Sequence, residues 1–302
     1  MEILVGKKFI DLFKNRIVKI ITIFILILIV FIIFWINLVA SPRRDNPVLI
    51  HISKGDSLFV ISKMLKEKNI VKSESFLRSV IASLDRDKNI EIGDYYFNKP
   101  LNIYQVAFMF ARGDHNIEPV KITFPEGLTN NQMTDILIKK IPDFNKTEFI
   151  IKTKDKQGYL FPDTYFFFPL TGIDEIIFEI DKNFKARTED LFKDKNNIDE
   201  IITMASIVEL EAKDENDAPV IAGILWKRLI LGMPLQVDAY PETYKKKGLP
   251  ENPIANPGLR AINATVNKKE TPYLYYLHAK DGKIYLAKTY IEHRKNIAKY
   301  LK

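Results

Sequence analysis

One glutamate stands where a helical pattern calls for an apolar residue. Over residues 197–213, apolar side chains recur at three- and four-residue spacing, which predicts a helix with one buried face. Ile201 and Val208 belong to this stripe, and Glu209 completes it. A buried, unpaired carboxyl group resists ionisation, so a glutamate in such a place can donate a proton as a general acid. Glu209 is therefore the candidate catalytic residue, and the small Ser206 nearby would leave room for a ligand.

A second acid, Glu211, follows closely. At about 100° per residue it points about 200° around the helix from Glu209, so the two acids cannot share one face. We expect Glu209→Gln to abolish activity and Glu211→Gln to have the milder effect. The alternative interpretation is structural, with Glu209 as a carboxylate at the core edge paired with an arginine or lysine. This segment alone leaves both interpretations open.

The composition argues against several classes of site. The 302 residues include no cysteine, which excludes disulfides, thiolate metal sites and a cysteine nucleophile. The four histidines are scattered, without the spacing of metal ligands. The sequence has neither a glycine-rich phosphate-binding motif nor a serine nucleophile elbow. We therefore expect no metal and no cofactor.

Residues 20–40 form an apolar segment long enough to cross a bilayer. A cleavable signal peptide usually has a shorter apolar region, and a buried core helix is rarely apolar all round for so long. Basic residues cluster in 1–19, so the positive-inside rule predicts a cytoplasmic tail there. We expect a single-pass anchor in the cytoplasmic (inner) membrane, with everything from Ser41 onward extracytoplasmic.

The net charge of +7 owes part of its excess to that N-terminal cluster. Beyond it, lysines and acids interleave as on an ordinary solvated surface, so we predict no nucleic-acid binding.

Residues 41–118 are predicted to form a small module. A strand at 48–52, two helices and a strand at 93–97 follow in that order, and Asn102 begins a further helix with a capping box. The βααβ order resembles a LysM-like module, a fold that binds N-acetylglucosamine chains, although a structural spacer fits nearly as well. The opening strand, turn and helix recur in 122–137.

Residues 119–302 are predicted to form a larger mixed α+β domain, which makes the chain α+β overall. An aromatic segment at 158–169 could stack on sugar rings, or it could line the core. A proline-rich stretch at 248–258 is held out of helix and could present Asn256 rigidly to a ligand.

Five motifs occur in order along these residues, and together they carry a family resemblance. They are Gly-Tyr-Leu-Phe-Pro-Asp-Thr-Tyr at 158–165, Ala-Ser-Ile-Val-Glu-x-Glu at 205–211, Leu-Gln-x-Asp at 235–238, Pro-Ile-Ala-Asn-Pro-Gly at 253–258 and Thr-Pro-Tyr-Leu-Tyr at 271–275. This chain resembles the MltG (YceG-like) endolytic murein transglycosylases over essentially its whole length.

The resemblance implies cleavage of the MurNAc-β-1,4-GlcNAc bond in nascent peptidoglycan strands, leaving a 1,6-anhydro-MurNAc end. The family's catalytic glutamate falls on Glu209. A glycan cleft is implied along the same motifs, and the substrate-binding candidates are Tyr159, Phe161, Asp163, Tyr165, Ser206, Gln236, Asp238, Asn256 and Tyr273. The resemblance also implies partnership with peptidoglycan synthases and with the elongation or division machinery.

One carboxyl group can suffice for such a reaction. It protonates the leaving oxygen and then, as a carboxylate, takes the proton of the sugar's own C6 hydroxyl as that hydroxyl attacks C1. Two rival hypotheses stay open. The first is a hydrolytic muramidase with Asp238 or Asp163 as a second carboxylate, and the other is a non-enzymatic, membrane-anchored glycan-binding scaffold.

Overall fold

The computed structural model describes residues 2–42, 46–84, 90–214 and 216–301, without the side chains of 2–17 and 37. The predicted orientation of the membrane span depends on the basic residues in 1–19, and most of their side chains lie outside the described set. The chain divides into two compact units, Met1–Glu118 and Pro119–Lys302.

The N-terminal helix, α1, spans Glu2–Val39. Its stretch Val18–Ile36 has a mean hydropathy of 3.1 and is exposed at every residue, so it is long and apolar enough to cross a membrane. Thr22 turns its hydroxyl back onto the carbonyl of Val18, 2.9 Å away, which satisfies that polar group within the helix. The helix also includes most of the predicted tail, because no proline or glycine pair interrupts it before Pro42.

The rest of the first unit follows the predicted βααβ order, which is confirmed. Ser57 and Ser73 cap the two central helices, and Gly113 ends the last one in the left-handed conformation at φ 66°. The strands β1 (Val48–Ile52) and β2 (Gly93–Phe97) pair antiparallel above a core that includes Ile52, Leu77 and Phe110. The LysM-like identity stays a prediction. The elements are β1 (Val48–Ile52), α2 (Leu58–Glu67), α3 (Glu74–Ser83), β2 (Gly93–Phe97) and α4 (Ile103–Arg112).

The described part of the second unit is mostly helical and carries two small antiparallel two-stranded sheets. The mixed α+β class is thus confirmed, as is the predicted capping box of Thr129 with Gln132. The elements are β3 (Val120–Thr123), α5 (Asn130–Lys140), α6 (Lys146–Lys152), β4 (Thr164–Phe167), α7 (Ile173–Phe192), α8 (Ile198–Glu211), α9 (Asp217–Ile230), α10 (Leu259–Val266), β5 (Tyr275–His278), β6 (Ile284–Ala287) and α11 (Tyr290–Tyr300).

Helix α8 is the central element of this unit, and it is buried on all sides from Ile201 to Val208. One side packs against apolar residues of α9 and α10, and the other packs against a second cluster that contains Phe161 and Phe184. The prediction of a single buried stripe was therefore wrong. Because apolar residues from neighbouring helices enclose both sides, the middle of α8 reaches no open surface, and its acids lie in the first turn, Asp199 and Glu200, and in the last, Glu209 and Glu211.

Candidate active site

The two acids at the end of α8 lie in different surroundings. The Glu209 side chain is 5% exposed, and both of its oxygens are occupied. Oε1 accepts a hydrogen bond from Arg260 Nη2 at 3.0 Å, and Oε2 accepts one from the backbone N–H of Gly258, also at 3.0 Å. The expectation of an unpaired acid was wrong. Arg260 lies two residues after the N-cap Gly258, in the first turn of α10, and its guanidinium pairs with Glu209.

A further carboxylate, Glu126, lies beside this ion pair. Its carboxyl group lies against Gly258, where any larger residue would overlap it. Partial burial and the negative charge of Glu209 raise the pKa of Glu126, and the charge of Arg260 partly offsets them. Sequence reasoning missed Glu126 and Arg260. One signal was available for Glu126, since it occupies the turn of the second strand-turn-helix copy where the first copy has Lys54.

We expect Glu209→Gln to act on stability. The change removes the charge partner of Arg260, whose side chain is 27% exposed, so the loss should be about 1 to 3 kcal/mol in the free energy of unfolding. Urea unfolding measures it, and cleavage assayed well below the melting temperature should stay close to the native rate. An unchanged unfolding midpoint together with lost cleavage would restore Glu209 as the catalytic candidate.

Glu211 points away from that ion pair and lines an open cavity of about 690 Å³. Its Oε1 accepts from the backbone N–H of Ala239 at 3.2 Å, and its Oε2 accepts from the hydroxyl of Tyr276 at 2.9 Å. Gln236 and Asp238 line the same cavity. Its volume falls in the range of small-ligand sites.

Tyrosines set the electrostatics of this cavity. Burial and the nearby charge of Glu211 raise the pKa of Tyr276 well above its usual value. The hydrogen bond to Asp238, together with burial, raises the pKa of Tyr244 to about 12. Both phenols therefore stay protonated at neutral pH and donate to a carboxylate, and Tyr244 reaches Asp238 Oδ1 at 2.6 Å. A tyrosine hydroxyl thus holds each of the two acids, and Glu211 has the Ala239 N–H as a second neutral donor.

Gln236 is fixed by Arg228, whose Nη2 donates to the side-chain oxygen of Gln236. The backbone of Gln236 has a φ of 51°, a left-handed conformation that is uncommon for a residue with a side chain. Such a conformation persists where the surroundings hold it in place. Here the Gln236 N–H donates to the carbonyl of Thr243, and the Thr243 hydroxyl accepts from Val237 N–H.

The aromatic segment contributes less to an open site than the sequence suggested. Phe161 and Tyr165 are buried, and the Tyr165 hydroxyl donates to the carbonyl of Phe161 at 2.8 Å. Although partial burial works against it, hydrogen bonds from Asn183 and Thr164 and the charge of Arg187 lower the pKa of Asp163. Asp163 does not line the cavity of Glu211.

The remaining candidates are also apart from that cavity. Tyr159 donates to Asp199 and lines a shallow depression of about 770 Å³ at the start of α8. Ser206 is fully buried, and its hydroxyl donates to the Thr203 carbonyl and accepts from the Ile254 N–H. Tyr273 is half-buried beside Thr271. Of these candidates, the structure thus brings Gln236 and Asp238 into the cavity of Glu211.

Asn256 is fully buried, and its side chain joins three segments of the second unit. The amide oxygen accepts from the N–H groups of Gly158 and Leu160, at 2.7 and 3.1 Å. The amide nitrogen donates to the Leu128 carbonyl and to Asn130 Oδ1, both at 2.9 Å. All the polar capacity of this side chain is therefore used within the protein. Its burial and bonding favour a structural role over contact with a ligand.

Within the described ranges, no three His, Asp or Glu side chains converge as a metal site would require. The groups that line the cavity include the carboxyl groups of Glu211 and Asp238, tyrosine hydroxyls, the imidazoles of His278 and His293, and the cations Lys213 and Arg228.

This chain is similar in sequence to bacterial proteins that are named for an activity. An endolytic murein transglycosylase of Bacillus subtilis strain 168 is 26% identical, and the alignment covers 88% of each chain. An endolytic murein transglycosylase of Streptococcus pneumoniae strain R6 is 24% identical over 84% of this chain. The present chain spans 58% of that longer relative.

A solved structure and a family profile extend the comparison. The 2.6 Å crystal structure of a yceG-like protein from Listeria monocytogenes matches with a TM-score of 0.51 and 26% identity. That match covers 83% of this chain and 98% of the Listeria chain. The profile of the YceG-like family matches residues 50–242 and 240–299, which is most of the sequence. The chain belongs to the YceG-like family.

Proposed function

We propose that this protein is an endolytic lytic murein transglycosylase, with Glu211 as its general acid and base. The observation that carries the proposal is the position of Glu211, in an open cavity that also holds Asp238 and Gln236 and is lined by tyrosines. Aromatic rings with polar tips suit the faces and hydroxyls of a sugar. The names of the relatives in Bacillus and Streptococcus support the same activity.

Glu211 replaces Glu209 as the candidate acid for a geometric reason. The Glu209 side chain is 5% exposed and is bound by the cation Arg260 and by the Gly258 N–H, so a glycosidic oxygen has little access to it. Glu211 faces the cavity and is held there by neutral donors. Helix geometry, with the two acids about 200° apart, had predicted that only one of them would take part in the chemistry.

In the proposed reaction, the substrate bond lies between C1 of MurNAc and O4 of GlcNAc. Protonated Glu211 gives its proton to O4 as the C1–O4 bond breaks. The resulting carboxylate takes the proton from the C6 hydroxyl, whose oxygen forms the new bond to C1. The products are a free GlcNAc 4-hydroxyl and a 1,6-anhydro-MurNAc end, and no water is consumed. The intramolecular hydroxyl has a high effective concentration, which favours this route over hydrolysis.

A hydrolytic muramidase is the second candidate function, because Asp238 could serve as a second carboxylate. It lines the same cavity as Glu211 and could activate a water molecule as the second carboxylate of a glycosidase. Asp163 does not have that position, and its contacts are to Asn183, Thr164 and Arg187.

The mass of the products tests the proposed reaction. We expect the full-length protein in detergent to release fragments from un-cross-linked glycan strands that weigh the same as the strand segments they derive from. Hydrolysis would instead add one water molecule to each cut, and chemical reduction would label the new reducing end, which an anhydro end resists. Fragments carrying the added water would replace the transglycosylase with the muramidase.

The proposal also includes a membrane location, because α1 could act as an anchor. Helix α1 would hold the chain in the cytoplasmic membrane as a single span, with the N-terminus cytoplasmic and the cavity on the outer side. Its substrate would then be nascent glycan strands, and internal cleavage would limit their length. Peptidoglycan synthases and elongation or division proteins are the partners that the family resemblance implies for such a role.

A further inference from the structure

Arg228 is a buried cation beneath the cavity of Glu211, and it lies beyond ion-pair distance of every carboxylate in the described ranges. The residue is 4% exposed. Nη2 donates to Gln236, whereas Nε is buried without an acceptor in the described part of the chain. The guanidinium also lies over the ring of Tyr275, 5.4 Å from its centroid. A guanidinium has five N–H donors, so most of its capacity is unused.

His293, beside Arg228, also has a buried nitrogen without a hydrogen-bond partner. Its ring stacks on Tyr275, the same ring that Arg228 lies over, with centroids 5.3 Å apart. Its buried Nδ1 has no partner among the described residues. Burial and the charge of Arg228 lower the pKa of His293. Two adjacent nitrogenous side chains that line one cavity thus have unfilled hydrogen-bonding capacity.

A buried charge without a counter-ion costs several kcal/mol, so proteins usually pair it. The hydroxyl groups of Tyr244, Tyr275 and Tyr276 and the imidazole of His293 face Arg228, and the carboxyl groups of Glu211 and Asp238 line the same cavity. None of these groups forms an ion pair with the guanidinium. A buried guanidinium that lines an open cavity without an ion-pair partner is suited to bind an anionic ligand.

We propose that Arg228, with His293, forms a subsite for a carboxylate of the muramyl unit, an inference that rests on the proposed function. Each muramyl residue bears a lactyl ether whose carboxyl group is either free or amide-linked to a peptide, and the peptide carries carboxylates of its own. A guanidinium binds a carboxylate through paired, charge-assisted hydrogen bonds. Arg228 is buried at the wall of the cavity, whereas Lys213, the other positively charged residue of the lining, is exposed, so the ligand's charge is directed toward Arg228. The subsite therefore sets which sugar of the alternating strand lies next to Glu211.

Binding to the full-length Glu211→Gln protein tests the subsite without turnover. The probes are glycan strands of equal length in three forms: peptide-free with free lactyl carboxylates, peptide-free with those carboxylates converted to methyl amides, and with intact peptides. Losing a charged hydrogen-bonded pair corresponds to about a 10- to 100-fold weaker affinity. We expect the methyl amide strands to bind that much more weakly than the free-carboxylate strands. Tight binding of only the intact strands would identify the peptide as the source of the carboxylate.

Substitutions of positively charged residues test which side chain causes the preference for free over masked carboxylates. In the same Glu211→Gln background, Arg228→Gln should remove the discrimination between free and masked carboxylates, whereas Lys247→Gln should retain it, because it removes one exposed positive charge that does not line the cavity. Arg228→Lys should restore part of the discrimination. If Arg228→Gln fails to fold, the comparison of masked and free strands still decides the case. Equal affinity for all three probes would overturn the subsite, while failure of the native protein to cleave any strand would overturn the proposed function instead.

Discussion

Replacing Glu211 with glutamine is expected to reduce murein cleavage by at least about a thousandfold, within the range that a lost general acid and base produces. Glutamine has nearly the same shape and can still accept a hydrogen bond from Tyr276 or from the Ala239 N–H, but it cannot donate a proton to a leaving oxygen. Cleavage is measured by release of soluble fragments from glycan strands, and folding by the urea midpoint. We expect the midpoint to stay close to that of the native protein.

Glu209→Gln is the matched control, since it makes the same chemical change two residues away on the same helix. It should lower the unfolding midpoint and leave cleavage nearly intact, which is the reverse of the Glu211→Gln result. This pair of outcomes contrasts with the expectation from the sequence, where Glu209 was the acid. If Glu211→Gln cleaved at the native rate, the assignment of the cavity as the active site would fall.

Asn256→Ala should destabilise the second unit by about 3 to 5 kcal/mol. The change leaves two N–H groups and the oxygen of Asn130 without their partner in the interior, and each unsatisfied buried group costs about 1 to 3 kcal/mol. Alanine also leaves a small void. Urea unfolding of the full-length protein in detergent, followed by a probe of the second unit, gives the change in free energy.

Asn263→Ala serves as the control for this change. Asn263 lies exposed on α10, and its side chain bonds only to Asn267, so its removal should alter stability by less than about 0.5 kcal/mol. If Asn256→Ala kept the native midpoint but lost glycan binding, the ligand role first expected for Asn256 would be correct.

Local patterns in the sequence predicted the elements well, because the forces that form them act over a few residues. The capping boxes of Asn102 and Thr129 occur where expected, since a side chain three residues away completes each of them. The βααβ order of the first unit and the long apolar helix also follow from spacing and length alone. The ordered motifs were enough to indicate the family.

By itself, the sequence determined that Glu209 and Glu211 lie on different faces of one helix, and the family resemblance implied that the Gln-x-Asp segment borders the glycan cleft. Only the tertiary structure decided which acid meets a cavity, because α8 is enclosed on both sides and periodicity identifies a buried face only where another face is open. The partners that make the distinction, Arg260 for Glu209 and Tyr276 for Glu211, come from more than 50 residues further along the chain. No local pattern encodes contacts at that separation, since folding the chain is what brings them together.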